Sequence, residues 1–162
     1  KNMSTPTDIE RISYGGPTGS LQLGQHRQVI SEAVATRTLL AKESGALCLF
    51  DRAAGVIYTL PTAVEGMQFE FEASVLQTAA AYRVSCATGA FLLGAVTGNT
   101  LGAVMDVFQA DGTSHLGIST NDTDSGGLIG TQFRVTAISA TQWVITGQII
   151  CSTTPIDPFV TS

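Results

Sequence analysis

The sequence predicts an all-β fold: one antiparallel β-sandwich or barrel-like domain, with an extended N-terminal arm and a short C-terminal tail. Three observations carry this reading. Short apolar or alternating runs follow one another at near-regular spacing. Turn residues fill the gaps, with 17 glycines among 162 residues. No long window combines a 3.6-residue apolar period with the caps of a helix.

Residues 1–35 read as the arm. They contain Pro6 and the loop-forming stretch 13–20 (SYGGPTGS), and only 28–35 could make a helical turn or an edge strand. The β domain occupies 36–150. Residues 36–41 are β-rich and a turn follows at 43–45; 46–51 (ALCLFD) and 56–60 (VIYTL) are strands, the second stopped by Pro61. Residues 67–73 (MQFEFEA) alternate at period two, which places Met67, Phe69 and Phe71 on a dry face and Gln68, Glu70 and Glu72 on a wet one. Shorter strands are expected over 82–86, 91–95, 103–109 and 115–119. Runs 132–138 and 142–150, joined by 139–141, read as a long antiparallel hairpin. Residues 151–162, with Pro155 and Pro158, complete the chain as a tail. The start at Lys1, with Met3 inside, reads as processed or shortened rather than as a signal peptide.

Charge is scarce. Only 13% of residues are charged, about half of the roughly 25% usual in soluble domains. Mean hydropathy is +0.25, yet no stretch approaches the ~18 apolar residues that a membrane helix requires. Part of the surface is therefore expected to be covered by other subunits, and neither a membrane nor nucleic acid is expected as a partner. The formal net charge of −5, with eight Lys and Arg scattered singly, offers no basic face for phosphates.

No catalytic set assembles, and the chain is not expected to be an enzyme. There is no GxSxG elbow, and His26 and His115 stand apart. Glu70 and Glu72 share a strand face but lack the opposing acid of a glycosidase. Cys48, Cys86 and Cys151 lack both zinc spacing and a disulfide framework, and read as small buried hydrophobes. Trp143 reads as core rather than as a sugar platform. The one metal candidate is the loop 119–127 (STNDTDSGG), where Asn121, Asp122 and Asp124 resemble the start of a calcium loop. It lacks the terminal Glu, and its residues are those of an ordinary exposed turn. No cofactor is expected.

Residues 45–61 (GALCLFDRAAGVIYTLP), 66–71 (GMQFEF) and 135–147 (VTAISATQWVITG) resemble small β-rich structural proteins of tailed bacteriophages. These include capsid decoration, or cement, proteins and some head- or tail-fibre modules. The resemblance implies a virion protein on the capsid exterior, assembled in the host cytoplasm. Its implied partners are further copies of itself, most simply a trimer, and the lattice of the major capsid protein. The alternative is a receptor- or carbohydrate-binding module of a viral head or tail fibre.

Overall fold

The computed structural model describes residues 12–13, 20–21, 27–31, 34–100 and 104–162. Among the described residues it is all-β, with a single 3₁₀ turn at Ala41–Glu43. The strands are β1 (Ile12–Ser13), β2 (Ser20–Leu21), β3 (Val29–Ile30), β4 (Thr36–Thr38), β5 (Leu47–Phe50), β6 (Val56–Thr59) and β7 (Gln68–Ala73). They continue as β8 (Tyr82–Ser85), β9 (Phe91–Thr100), β10 (Met105–Asp111), β11 (Gly117–Ser119), β12 (Gln132–Ala137), β13 (Gln142–Cys151) and β14 (Phe159–Val160). One sheet has seven strands in the order β10-β9-β13-β12-β7-β5-β3; the other has five, β14-β11-β8-β6-β4. The two form an open sandwich, and among the described residues β1 pairs only with β2.

Both sheets are mixed. From β3 to β8 the chain alternates between sheets, and every strand pairs in parallel with the strand two places on: β3 with β5, β5 with β7, β4 with β6, β6 with β8. This half is a coil of three rungs, each with one strand per sheet. The second half is laid against it in both directions. β12 runs antiparallel to β7, β13 antiparallel to β12, and β9 parallel to β13 over ten residue pairs.

The alternation in 67–73 is realised: Phe69, Phe71 and Ala73 are buried, while Gln68 and Glu72 are exposed and Glu70 half-buried. The terminal hairpin is present as β12 and β13, with Phe133, Val135, Trp143, Ile145 and Ile149 in the core. Between the sheets, Phe50 stacks on Tyr82 at 4.8 Å between ring centroids and contacts Tyr58 and Phe71. Phe133 completes the cluster against Phe71 at 5.4 Å. Tyr58 and Tyr82 keep their hydroxyls bonded inside it, donating to the carbonyls of Leu49 and Val75. Burial raises both phenols above their usual range.

Two assigned boundaries move. Residues 29–30, within the 28–35 stretch read as a helical turn or an edge strand of the arm, form the edge strand β3 of the domain, with Ile30 buried against the core; the rest of the arm assignment falls largely outside the described residues. Residues 151–162 do not trail away. Cys151 closes β13, Pro155 and Pro158 are buried, and β14 pairs with β11 in the five-stranded sheet. The apolar side chains of Pro155 and Phe159 supply the reason: each covers sheet surface that would otherwise face water.

Glycine is required where the central strands close up. A Cβ on Gly94 would lie 2.4 Å from the carbonyl oxygen of Ile145, and one on Gly147 would lie 2.4 Å from that of Gln132. Any side chain there would push β9 or β12 off β13.

Trp143 is fully buried beside Phe69, and its indole N–H has no partner among the described residues. Trp143→Ala is expected to cost about 3–5 kcal/mol, the range for removing a large buried aromatic. Trp143→Phe should cost clearly less, because it also removes the unsatisfied donor. Chemical denaturation of the three proteins checks the order; equal losses would contradict it.

Candidate functional site

The outer face of the seven-stranded sheet is hollowed into a groove of about 560 Å³. Six strands contribute to its lining, and the register arranges the outward positions of the face around it in rows, two of which cross its middle. One row runs Leu47, Glu70, Arg134, Thr146, Ala95, Gln109; the other runs Leu49, Glu72, Gln132, Gln148, Thr97, Val107. Both rows begin on leucine, and the centre of each is polar. Glu70 faces Arg134 directly across β7 and β12, and the Arg27 guanidinium meets Glu70 at 2.5 Å. Exposed cross-strand pairs of this kind contribute a few tenths of a kcal/mol to about 1 kcal/mol. At the β10 rim, Met105 and Val107 are 71% and 63% exposed. Among the lining residues there is no histidine, cysteine or serine. The groove can hydrogen-bond and cover a partner.

The edges of the sheets are finished unequally. The Thr100 N–H bonds the Val104 carbonyl and the Gly112 N–H the Leu92 carbonyl, so the alternate residues 105, 107, 109 and 111 turn their backbone groups outward. Two of those N–H groups are capped from within. The Asp106 carboxylate accepts from Val107 N at 2.8 Å, and His115 Nδ1 accepts from Asp111 N at 3.1 Å. On the opposite edge, β3 and β4 both lie at the end of their sheets. The Gln28 carbonyl accepts from Leu47 N, the Ala35 carbonyl accepts from Ile57 N, and Leu39 N donates to Thr59. Val29, Thr36 and Thr38 therefore point their backbone groups away from the sheets, and no partner for those groups occurs among the described residues.

The residues singled out from the sequence do not converge. His115 belongs to the turn after β10, its ring tilted against Phe159 at 5.5 Å between centroids, and His26 lies outside the described residues. In the loop 121–125, Asn121 Oδ1 accepts from the N–H groups of Thr123, Asp124 and Ser125, and its amide donates to Asp124 at 2.6 Å. Asp122 and Asp124 serve this turn, and no cluster of three potential metal ligands occurs among the described residues. Cys48 and Cys151 are buried and Cys86 is partly so, just past the end of β8; all three are free thiols. No described helix is long and apolar enough to cross a membrane.

Sequence reasoning missed a buried polar cluster beneath the 121–131 loop. Gln77, placed in no strand, is nearly inaccessible. Its side-chain amide N–H donates to the Thr120 carbonyl, and its Oε1 accepts from the Thr120 hydroxyl and from Tyr82 N. Thr131 Oγ1 accepts from Gly127 N and from Ile150 N. These bonds tie the loop to both sheets. Their only signal in the sequence was the run of Gly and Thr around residue 127.

No protein family, no curated protein and no solved structure matches this chain.

Two solution properties follow from these surroundings. Burial pushes the thiols of Cys48 and Cys86 up to about 12 and raises that of Cys151. At pH 8 a thiol of that kind is about one part in ten thousand thiolate. Ellman's reagent is expected to find almost no reactive thiol in the native protein and all three after denaturation; prompt labelling of the native protein would contradict the placement. Separately, the Ser114 hydroxyl, followed by the N–H groups of Ser114 and Thr113, holds the Asp111 carboxyl well below the usual carboxylate range. A lowered folded value means stabilisation that is complete above about pH 4 and is lost as pH falls through the folded value. A carboxyl titration by NMR is expected to show Asp111 still ionised where the other aspartates protonate; an ordinary midpoint would contradict this.

Proposed function

We propose that this protein is a structural virion component that binds the outer surface of a bacteriophage capsid and stabilises the shell, as a decoration or cement protein. The observation that carries the reading is the groove face. It is broad, neutral over most of its area and apolar at both rims, with Leu47 and Leu49 at one end and Met105 and Val107 at the other. A surface of this composition suits a protein partner, because apolar rims gain from being covered and amide and hydroxyl groups can pair across an interface. The low charged fraction of the whole chain argues the same way. Binding the assembled lattice but not its free subunits stabilises the shell by mass action. The copies on the shell would themselves associate, most simply as trimers.

A second reading, a carbohydrate- or receptor-binding fibre module, draws on the polar centre of the same groove. Glu72, Gln132, Arg134 and Gln148 offer the bidentate donors and acceptors that sugar hydroxyls use. No aromatic side chain projects from the outward rows to stack on a sugar ring, and this weighs toward the first reading.

Sedimentation across micromolar concentrations is expected to give a homo-oligomer, and the purified protein is expected to raise the melting temperature of phage shells that lack it. Met105→Asp together with Val107→Asp should abolish the shell effect while the protein stays folded. Wild-type protein that leaves every shell unaffected but binds a glycan array would favour the fibre reading.

A further inference from the structure

We propose that one end of the sandwich, made by the turns 39–46, 60–67 and 138–141, is the surface through which copies of this protein meet. The inference rests on the association of copies proposed above, and it leaves the groove face to the shell. The three turns adjoin one another. The Gly45 N–H donates to the Gln68 carbonyl and the Gln68 N–H to the Ser44 hydroxyl. The Gly66 N–H donates to the Ala137 carbonyl, and the Ala137 N–H to that of Met67.

Each turn presents an aliphatic side chain that is about half exposed: Leu40 at 48%, Val64 at 56% and Ile138 at 46%. Turns at the ends of strands ordinarily carry small and polar residues. Three aliphatics on adjoining turns therefore mark a surface that gains from being covered.

Charge identifies what covers it. Among the described residues, Lys42, Glu65, Glu72 and Arg134 are the charged side chains that no hydrogen bond or ion pair engages. Glu72 and Arg134 lie in the groove. Lys42 and Glu65 lie at this end, both exposed, one on the turn of Leu40 and the other next to Val64. At the opposite end Ile129 and Ile156 are exposed too, but there Asp122 and Asp124 are held by their own turn. A foreign partner would have to bring both signs in the matching order. A second copy brings them by symmetry. A rotation axis through this end sets Lys42 of one copy against Glu65 of the next, whether two or three copies share it. The aliphatic side chains then cover one another, and the two charges fix the orientation.

Sedimentation velocity at micromolar concentrations tests the contact. Lys42→Glu and Glu65→Lys are each expected to weaken association at least about tenfold, because each brings like charges together. The chain carrying both substitutions should associate to within about threefold of the unmodified protein, since the pair is restored with its signs exchanged. Ile138→Asp, which would bury an unpaired charge, should dissociate the copies. Met105→Asp together with Val107→Asp, in the groove, should leave association unchanged. Emission from the buried Trp143 reports in each case that the core is intact. Association that survives both single reversals would overturn the proposal, as would a double variant no better than either single one. Loss of association in the groove variant would also overturn it, by moving the contact to the groove. Unmodified protein that stays monomeric throughout the range would do the same. Copies that associate through this end but leave every shell unaffected would support the contact and sink only the capsid reading.

Discussion

The structure depends on the aromatic contact between its sheets. Phe50, Tyr58, Phe71, Tyr82 and Phe133 come from five strands, three in one sheet and two in the other, and no ring reaches its place unless the rungs are in register. Stacked and tilted aromatic pairs contribute about 0.5–1.5 kcal/mol each beyond the burial of their area. The cluster is also directional. The two phenol hydroxyls must reach the carbonyls of Leu49 and Val75, which a slipped strand would carry out of range. Packing and polar satisfaction thus select the same register, and Phe133 ties the second half of the chain to it.

That coil explains what the sequence could and could not reveal. The alternation of 67–73 and the hairpin of 132–151 were legible because each is long, half-buried and continuous, so period two is visible without knowing the partner strand. Strands β3 and β4 were legible only as β-rich stretches, 28–35 as a helical turn or an edge strand and 36–41 without a sheet or a partner. They span two and three residues, too few for a period, and their place follows from strands many residues away. Parallel winding leaves no mark of its own at this length, since an inward-outward alternation is the same whether the neighbour runs up or down. Hence an antiparallel sandwich was expected and mixed sheets were found. The C-terminal residues misled for a related reason: Pro155 and Pro158 suggested a free tail, but proline at a sheet edge gives up no ladder bond.

The candidate site was legible in part. Glu70 and Glu72 were placed on the wet face from pattern alone, and that face is the groove. Gln132, Arg134, Thr146 and Gln148 join them only through strand order, which no local signal encodes. Glu43 shows the same limit. It is a buried carboxylate that accepts from Arg37 at 2.5 Å and from Leu40 N at 2.8 Å, and it closes the 3₁₀ turn into β5. In sequence it stood beside a serine and a glycine and read only as part of a turn.

The capped edge at β10 constrains how copies of this protein can meet. A sheet that offers an open edge on both sides can add molecules head to tail without limit, as fibres do. Here Asp106 and His115 occupy two of the outward N–H groups along β10, while the opposite side ends on β3 and β4. Growth through backbone pairing would have to pass through both sides, and one of them is partly spent on its own side chains. Edge-to-edge growth of the seven-stranded sheet is therefore opposed on its β10 side.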